Sequence, residues 1–136
     1  MPTLLAVDDD QDTLDLYDAI FGKLGYRVVR CNDAAQVPSL VKDLDPECVI
    51  MDLCMPDVCQ GLAATQCIKS DPATCDVPVV VVTGKTDDYT CMKVYDTGAS
   101  DIVTKPFDTT DIVSRVKPLI TLSAVRKLTS KMMKKI

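Results

Sequence analysis

Cys48-Val49-Ile50-Met51-Asp52-Leu53-Cys54-Met55-Pro56 is the stretch that decides the fold. A short apolar run ends abruptly in one carboxylate, and three residues later the backbone meets Met-Pro. A run of this kind reads as a buried strand, covered on both faces as the strands of a parallel sheet are. Asp52 then stands at the carboxyl end of its strand, where open α/β sheets place their ligand sites. A carboxylate there costs desolvation energy unless a cation or hydrogen-bond donors meet it. Its partners must come from elsewhere in the chain.

Other runs of the same type lie on either side. Thr3 to Val7 is an apolar run that ends in Asp8-Asp9-Asp10, and Arg27 to Cys31 reads as a second strand. Val79-Val80-Val81-Val82 is wholly β-branched, the pattern of a fully buried strand, and Thr83-Gly84 closes it. Ile102-Val103-Thr104 is the fifth, followed by Lys105-Pro106-Phe107. Between them the apolar residues recur at helical spacing. Leu14, Tyr17, Ile20, Phe21 and Leu24 predict a first helix stopped by Gly25. Val37, Leu40, Val41 and Leu44 predict a second, capped by Asn32 or Asp33, with Pro38 in its first turn. A third is expected from about Leu62 to Lys69, a fourth near Asp87–Asp96, and a fifth from Ile112, capped at Asp108. Strands that alternate with helices make an α/β fold, a doubly wound five-stranded parallel sheet with helices on both faces, because each parallel crossover needs a helix. Of the common orders of doubly wound sheets, the flavodoxin-like strand order 2-1-3-4-5 is the one expected.

Composition narrows the function classes. The 136 residues suffice for one domain with a real core. No apolar run approaches the ~20 residues of a membrane span, and the opening apolar run meets Asp8 too soon for a signal peptide, so a cytoplasmic protein is expected. Seven cysteines without any C-x-x-C spacing, in a chain with no histidine, read as reduced apolar fillers, not as a disulfide framework or a zinc site. All 20 acidic residues lie at or before Asp111 with only eight Lys/Arg, a balance of −12, while residues 112–136 hold seven Lys/Arg and no acid. That basic tail has no aromatic side chain for base stacking, so neither nucleic-acid nor membrane contact is expected.

Parallel strands bring their carboxyl ends to one edge of the sheet, which gathers Asp8 and Asp9, Asp52, Thr83 and Lys105. Two carboxylates ~4 Å apart repel by ~4 kcal/mol at an effective dielectric of about 20. A divalent cation relieves this, and oxygen ligands in an open site favour Mg²⁺. A strand-end aspartate alone is usually a cap or a turn residue, and Lys-Pro alone says little. Four such groups at the right strand ends point instead to phosphoryl transfer, with Asp52 attacking phosphorus, Lys105 pairing with a phosphoryl oxygen and Thr83 donating its hydroxyl to another.

Val7-Asp8-Asp9, Asp52 with Met55-Pro56, Thr83-Gly84 and Lys105-Pro106-Phe107 together resemble the receiver domains of two-component response regulators. The resemblance covers about residues 3–120. It implies that Asp8, Asp9, Asp52 and the backbone carbonyl of Cys54 bind Mg²⁺. It also implies that a sensor histidine kinase or phosphotransfer protein supplies the phosphoryl group, that the Lys105–Pro106 peptide is cis, and that a conformational switch signals to a partner or output domain. Three features depart from the family pattern: Ile102 stands where an aromatic switch residue is usual, the loop from Asp57 to Gly61 is one residue longer, and Cys54 and Lys85 occupy positions that tune dephosphorylation.

The main rival is a phosphatase of the haloacid-dehalogenase type with Asp8 or Asp10 as nucleophile. Its D-x-D-G-T-L signature fits neither register of Asp8-Asp9-Asp10-Gln11-Asp12-Thr13-Leu14. Gly84-Lys85-Thr86 lacks the first glycine of a P-loop, since Val79 holds that place, and Asp8, Asp10 and Asp12 lack the glycine and glutamate of a calcium loop. Residues 1–120 are assigned to the receiver and 121–136 to a basic helical extension or linker. In that extension Leu122, Val125, Leu128 or Thr129, Met132 and Ile136 recur at roughly helical spacing after Leu119. Pro118 is expected to break or kink the fifth helix, or to start a new one. The extension packs on the domain, forms a homodimer, or leads into an output domain.

Overall fold

A computed structural model describes residues 1–55, 58–84 and 87–134. Five strands alternate with five helices: β1 (Thr3–Val7), α1 (Gln11–Gly22), β2 (Arg27–Cys31), α2 (Val37–Leu44, entered through a 3₁₀ turn over Ala34–Gln36), β3 (Cys48–Asp52), α3 (Val58–Ser70), β4 (Val79–Thr83), α4 (Asp88–Asp96), β5 (Asp101–Thr104) and α5 (Thr109–Met133). The strands are all parallel, in the order β2-β1-β3-β4-β5, as expected.

The unbroken apolar strands have a simple cause: every residue of β3 and β4 is buried, because helices cover both faces. Side chains alternate between the faces. Leu5, Val7, Val49, Met51, Val79 and Val81 pack with residues of α2, α3 and α4. Leu4, Ala6, Ile50, Val80, Val82 and Val103 pack with Leu14, Tyr17 and Phe21 of α1 and with Ile112, Val116 and Ile120 of α5. Aspartates cap the helices: Asp10 accepts from the Asp12 N–H, Asp33 from Ala35, Asp87 from Thr90 and Asp108 from Thr110. Each cap fixes where a helix leaves its loop.

Helix ends are where sequence and structure differ. α1 stops at Gly22, so Leu24 is exposed in the turn that Gly25 completes at φ +88°. α3 starts at Val58, a turn before the expected Leu62, and therefore contains Gly61. A Cβ on Gly61 would lie 2.2 Å from the Leu53 carbonyl oxygen, so only glycine lets α3 sit this close to the end of β3. α5 is neither ended nor begun at Pro118. That proline is exposed within the helix, on a side where water can satisfy the carbonyl deprived of its donor. The helix continues past residue 120 with Ser123 buried, Arg126 donating to the Asp76 carbonyl at 2.6 Å, and Lys127 paired with Glu47 at 3.2 Å and with Asp45. Pro56, Asp57, Lys85 and Ile136 lie outside the described residues.

Gly61→Ala is expected to destabilise the domain by roughly 1–3 kcal/mol, because the contact is with backbone that cannot swing aside. The urea midpoint of the variant measures this, and an unchanged midpoint would mean that α3 can stand off from Leu53 at no cost.

Candidate functional site

The functional side chains are placed by where each strand stops. Asp8 directly follows β1, and its N–H still bonds the Cys31 carbonyl at 3.1 Å, so the sheet's hydrogen bonding holds it. Asp52 is the last residue of β3 and Thr83 the last of β4. The Leu53 N–H reaches the Val82 carbonyl at 3.0 Å, and the Lys105 N–H reaches the Thr83 carbonyl at 2.9 Å. The backbone that carries the lysine is thus pinned to the residue that carries the hydroxyl. The Lys105–Pro106 peptide is cis, as the resemblance implied.

These elements bring the expected residues together. The carboxylate oxygens of Asp8, Asp9 and Asp52 lie within 4.8 Å of one another; Asp8 and Asp52 are buried and Asp9 is exposed. Lys105 Nζ is 2.8 Å from Asp8 Oδ2 and 3.6 Å from Asp52 Oδ2. Thr83 is buried at the same edge. Cys54 is half-buried, and its N–H donates to the Asp52 carboxylate.

One ammonium does not balance three carboxylates, and the pKa values register the excess. Burial, then the neighbouring Asp8, push Asp52 up to about 6, against the pull of Lys105 and the Cys54 N–H. Burial weighs against the charged form of Lys105, yet its hydrogen bond to Asp8 and the charges of Asp52 and Asp8 prevail and raise its pKa. The donor set is all oxygen, carries excess negative charge and is open on the Asp9 side. Asp8, Asp9 and Asp52 therefore fit a hard divalent cation that keeps several of its waters, as Mg²⁺ does.

Asp10 is not part of this group. It is exposed at the start of α1, accepting from the Asp12 N–H at 3.1 Å and from the Thr13 hydroxyl at 3.0 Å. The rival phosphatase reading thus loses one of its nucleophiles to helix capping, while the other, Asp8, is held by Lys105. Ile102 is partly buried against the α2–α3–α4 side of the sheet. One feature near the site is missing from the sequence reading. Tyr17, expected only as an apolar helix position, stacks on Phe107 with centroids 5.5 Å apart, and its buried hydroxyl has no partner among the described residues. Burial, with Asp8 and Asp52 nearby, raises its pKa.

Residues 4–117 match the response regulator receiver domain family. RpaA from Synechocystis sp., a DNA-binding dual master transcriptional regulator, is 32% identical over 120 residues, covering 88% of this chain and 49% of that protein. The response regulator SaeR from Staphylococcus aureus is 31% identical over 121 residues, covering 89% of this chain and 51% of that protein. Among solved structures, NtrX from Brucella abortus superposes with a TM-score of 0.79 at 26% identity, covering 98% of this chain and 30% of that one. The chemotaxis protein CheY4 from Vibrio cholerae shares the fold, with a TM-score of 0.80 at 20% identity over 88% of this chain and 98% of that one. The chain belongs to the receiver domains of response regulators, the signalling modules of two-component systems. Receiver domains generally bind Mg²⁺ at an acidic pocket of this kind. The chain spans about half the length of the curated relatives it matches. Among the described residues, no helix is long and apolar enough to cross a membrane.

The raised pKa of Asp52 has a measurable cost. Because it lies above the ~3.9 of an unfolded aspartate, the folded state holds this proton longer. Below about pH 4 both states are protonated and nothing is lost; stability then falls as the pH rises toward 6 and stays lower above it. In chelator, Asp52→Asn should therefore be more stable than wild type at neutral pH by on the order of 2 kcal/mol, a gain that vanishes below about pH 4. Urea unfolding across this range reads the difference. Equal stability at neutral pH would contradict the assigned shift.

Proposed function

We propose that Asp52 is the phosphoacceptor of this receiver. The supporting observation is a buried strand-end carboxylate flanked by Asp8 and held 3.6 Å from Lys105. A carboxylate oxygen of Asp52 attacks phosphorus in a phosphohistidine of a sensor histidine kinase or phosphotransfer protein; the P–N bond breaks, the imidazole leaves, and an acyl phosphate forms. The 136 residues hold no histidine, so the donor residue lies outside them.

Asp8, Asp9, Asp52 and the Cys54 carbonyl are assigned to Mg²⁺, which, when bound, supplies positive charge for the phosphoryl oxygens. Lys105 leaves Asp8 to pair with one phosphoryl oxygen, and the Thr83 hydroxyl donates to another. The phosphoryl group adds about −1.5 to −2 of charge to a cleft already short of cations. That charge biases a two-state equilibrium of the face built from α4, β5 and α5, which a downstream partner or output domain reads. Ile102 cannot act there as a swinging aromatic ring. The same site carries out its own dephosphorylation, with residues 54 and 85 setting the lifetime. We assign residues 1–120 to the receiver, residues 121–136 to a basic helical extension, and the protein to the cytoplasm, where free thiols persist.

Incubation with ³²P-acetyl phosphate and Mg²⁺ tests this. Wild type should incorporate one hydroxylamine-sensitive label per chain, chelator should abolish it, and Asp52→Asn should lose it. Undiminished labelling of Asp52→Asn, or repeated turnover of a phosphomonoester that depends on Asp8 alone, would overturn the assignment.

A further inference from the structure

One buried polar atom has no part in the chemistry assigned to the site. Tyr17 of α1 is fully buried, and its hydroxyl has no hydrogen-bond partner among the described residues. No water-sized gap reaches that oxygen, so solvent cannot serve it. A buried hydroxyl in this condition is costly, and most are bonded. The fold nonetheless aims it at the site. Side chains of a helix lean toward its N-terminus, and α1 begins at Gln11, just beyond Asp8. The rows Leu4–Ala6 and Cys48–Ile50 face α1 and α5, and Asp8 and Asp52 continue those rows. After burial itself, the charge of Asp8 weighs most on the phenol, ahead of that of Asp52. The ring lies on Phe107, with centroids 5.5 Å apart and planes 8° from parallel. Phe107 belongs to the loop that carries Lys105, so the phenol is held in place beside the lysine.

We propose that Tyr17 is a positioning residue whose hydroxyl is the reserve donor to Asp8, taken up when Lys105 lets that carboxylate go. At rest each Asp8 oxygen already has a donor: Oδ1 accepts from the Asp10 N–H at 2.9 Å and Oδ2 from Lys105 Nζ at 2.8 Å. A charge-assisted bond of this kind outcompetes a neutral phenol, which leaves the hydroxyl unserved. Transfer of Lys105 to a phosphoryl oxygen strips Oδ2 of its donor while Asp8 stays buried. A buried carboxylate that loses a donor is costly in its turn. The leftover donor and the leftover acceptor then satisfy each other. Asp8 is that acceptor, and not Asp52, because Asp52 is the group that takes the phosphoryl and its charge acts less on the phenol. The exchange lowers the cost of moving the lysine, so the hydroxyl favours the phosphorylated state over the resting one. That Lys105 leaves Asp8 on phosphorylation rests on the role assigned to Asp52; the competition between lysine and phenol does not.

Thermal melts of the full chain in chelator at about pH 8, where carboxylates are ionised, read the competition. Tyr17→Phe, which removes only the hydroxyl, should melt roughly 3–6 °C above wild type, because an unserved buried hydroxyl is gone. In the Lys105→Met background the same change should lower the melting temperature, because there the phenol already serves Asp8. A residue that only packs would shift both backgrounds the same way. Calorimetric titration with beryllofluoride and Mg²⁺, a mimic of an aspartyl phosphate, reads the exchange itself. Tyr17→Phe should bind it about tenfold more weakly than wild type. Tyr17→Phe that melts below wild type, that shifts the melt in one direction in both backgrounds, or that matches the beryllofluoride affinity of a wild type that binds it would each overturn the proposal. Wild type that ignores beryllofluoride, with the reversal in Lys105→Met intact, would strike the role of Asp52 and support the pairing of Tyr17 with Asp8.

Discussion

The 2.8 Å ion pair between Lys105 and Asp8 is the contact on which the site depends. Strands ~4.8 Å apart put β5 about 14 Å from β1, with β3 and β4 between them. The loop after β5 nevertheless returns its lysine across that span, starting from the backbone bond between Lys105 and Thr83. Removing the ammonium would leave two buried carboxylates facing each other with no cation. Its presence leaves the cluster still short of positive charge.

That shortage links stability to function. Burial of Asp52 beside Asp8 raises its pKa to about 6, so the metal-free fold carries an ionised group it would be more stable without. The same arrangement creates affinity for a hard cation. Lys105 is engaged with Asp8 at rest and lies near enough to Asp52 to change partners after small side-chain motion. Tyr17 and Phe107 pack as a stacked pair next to this lysine, on the α1–α5 side of the sheet.

At the other end of the domain the chain uses charge differently. The cations of the α5 extension turn toward Asp45, Glu47 and the Asp76 carbonyl, which fixes the rotation of the helix about its axis. Its apolar residues are thereby left facing solvent. The basic tail, read from composition alone, suggested a nucleic-acid or membrane question; its contacts make it a set of tethers.

The sequence by itself determined the strands and which polar residues gather at one edge of the sheet. Runs such as Val79 to Val82 can be stable only where both faces are covered, and a parallel sheet then forces Asp8, Asp52, Thr83 and Lys105 to one edge. Tertiary structure decided what depends on close approach. α3 begins early because Gly61 can touch Leu53, α5 runs through Pro118 because that side of the helix meets water, and Lys105 rests on Asp8 because only the folded loop brings it there. Local pattern records which residues want burial; which neighbour each one meets is set by distances that exist only once the chain has folded.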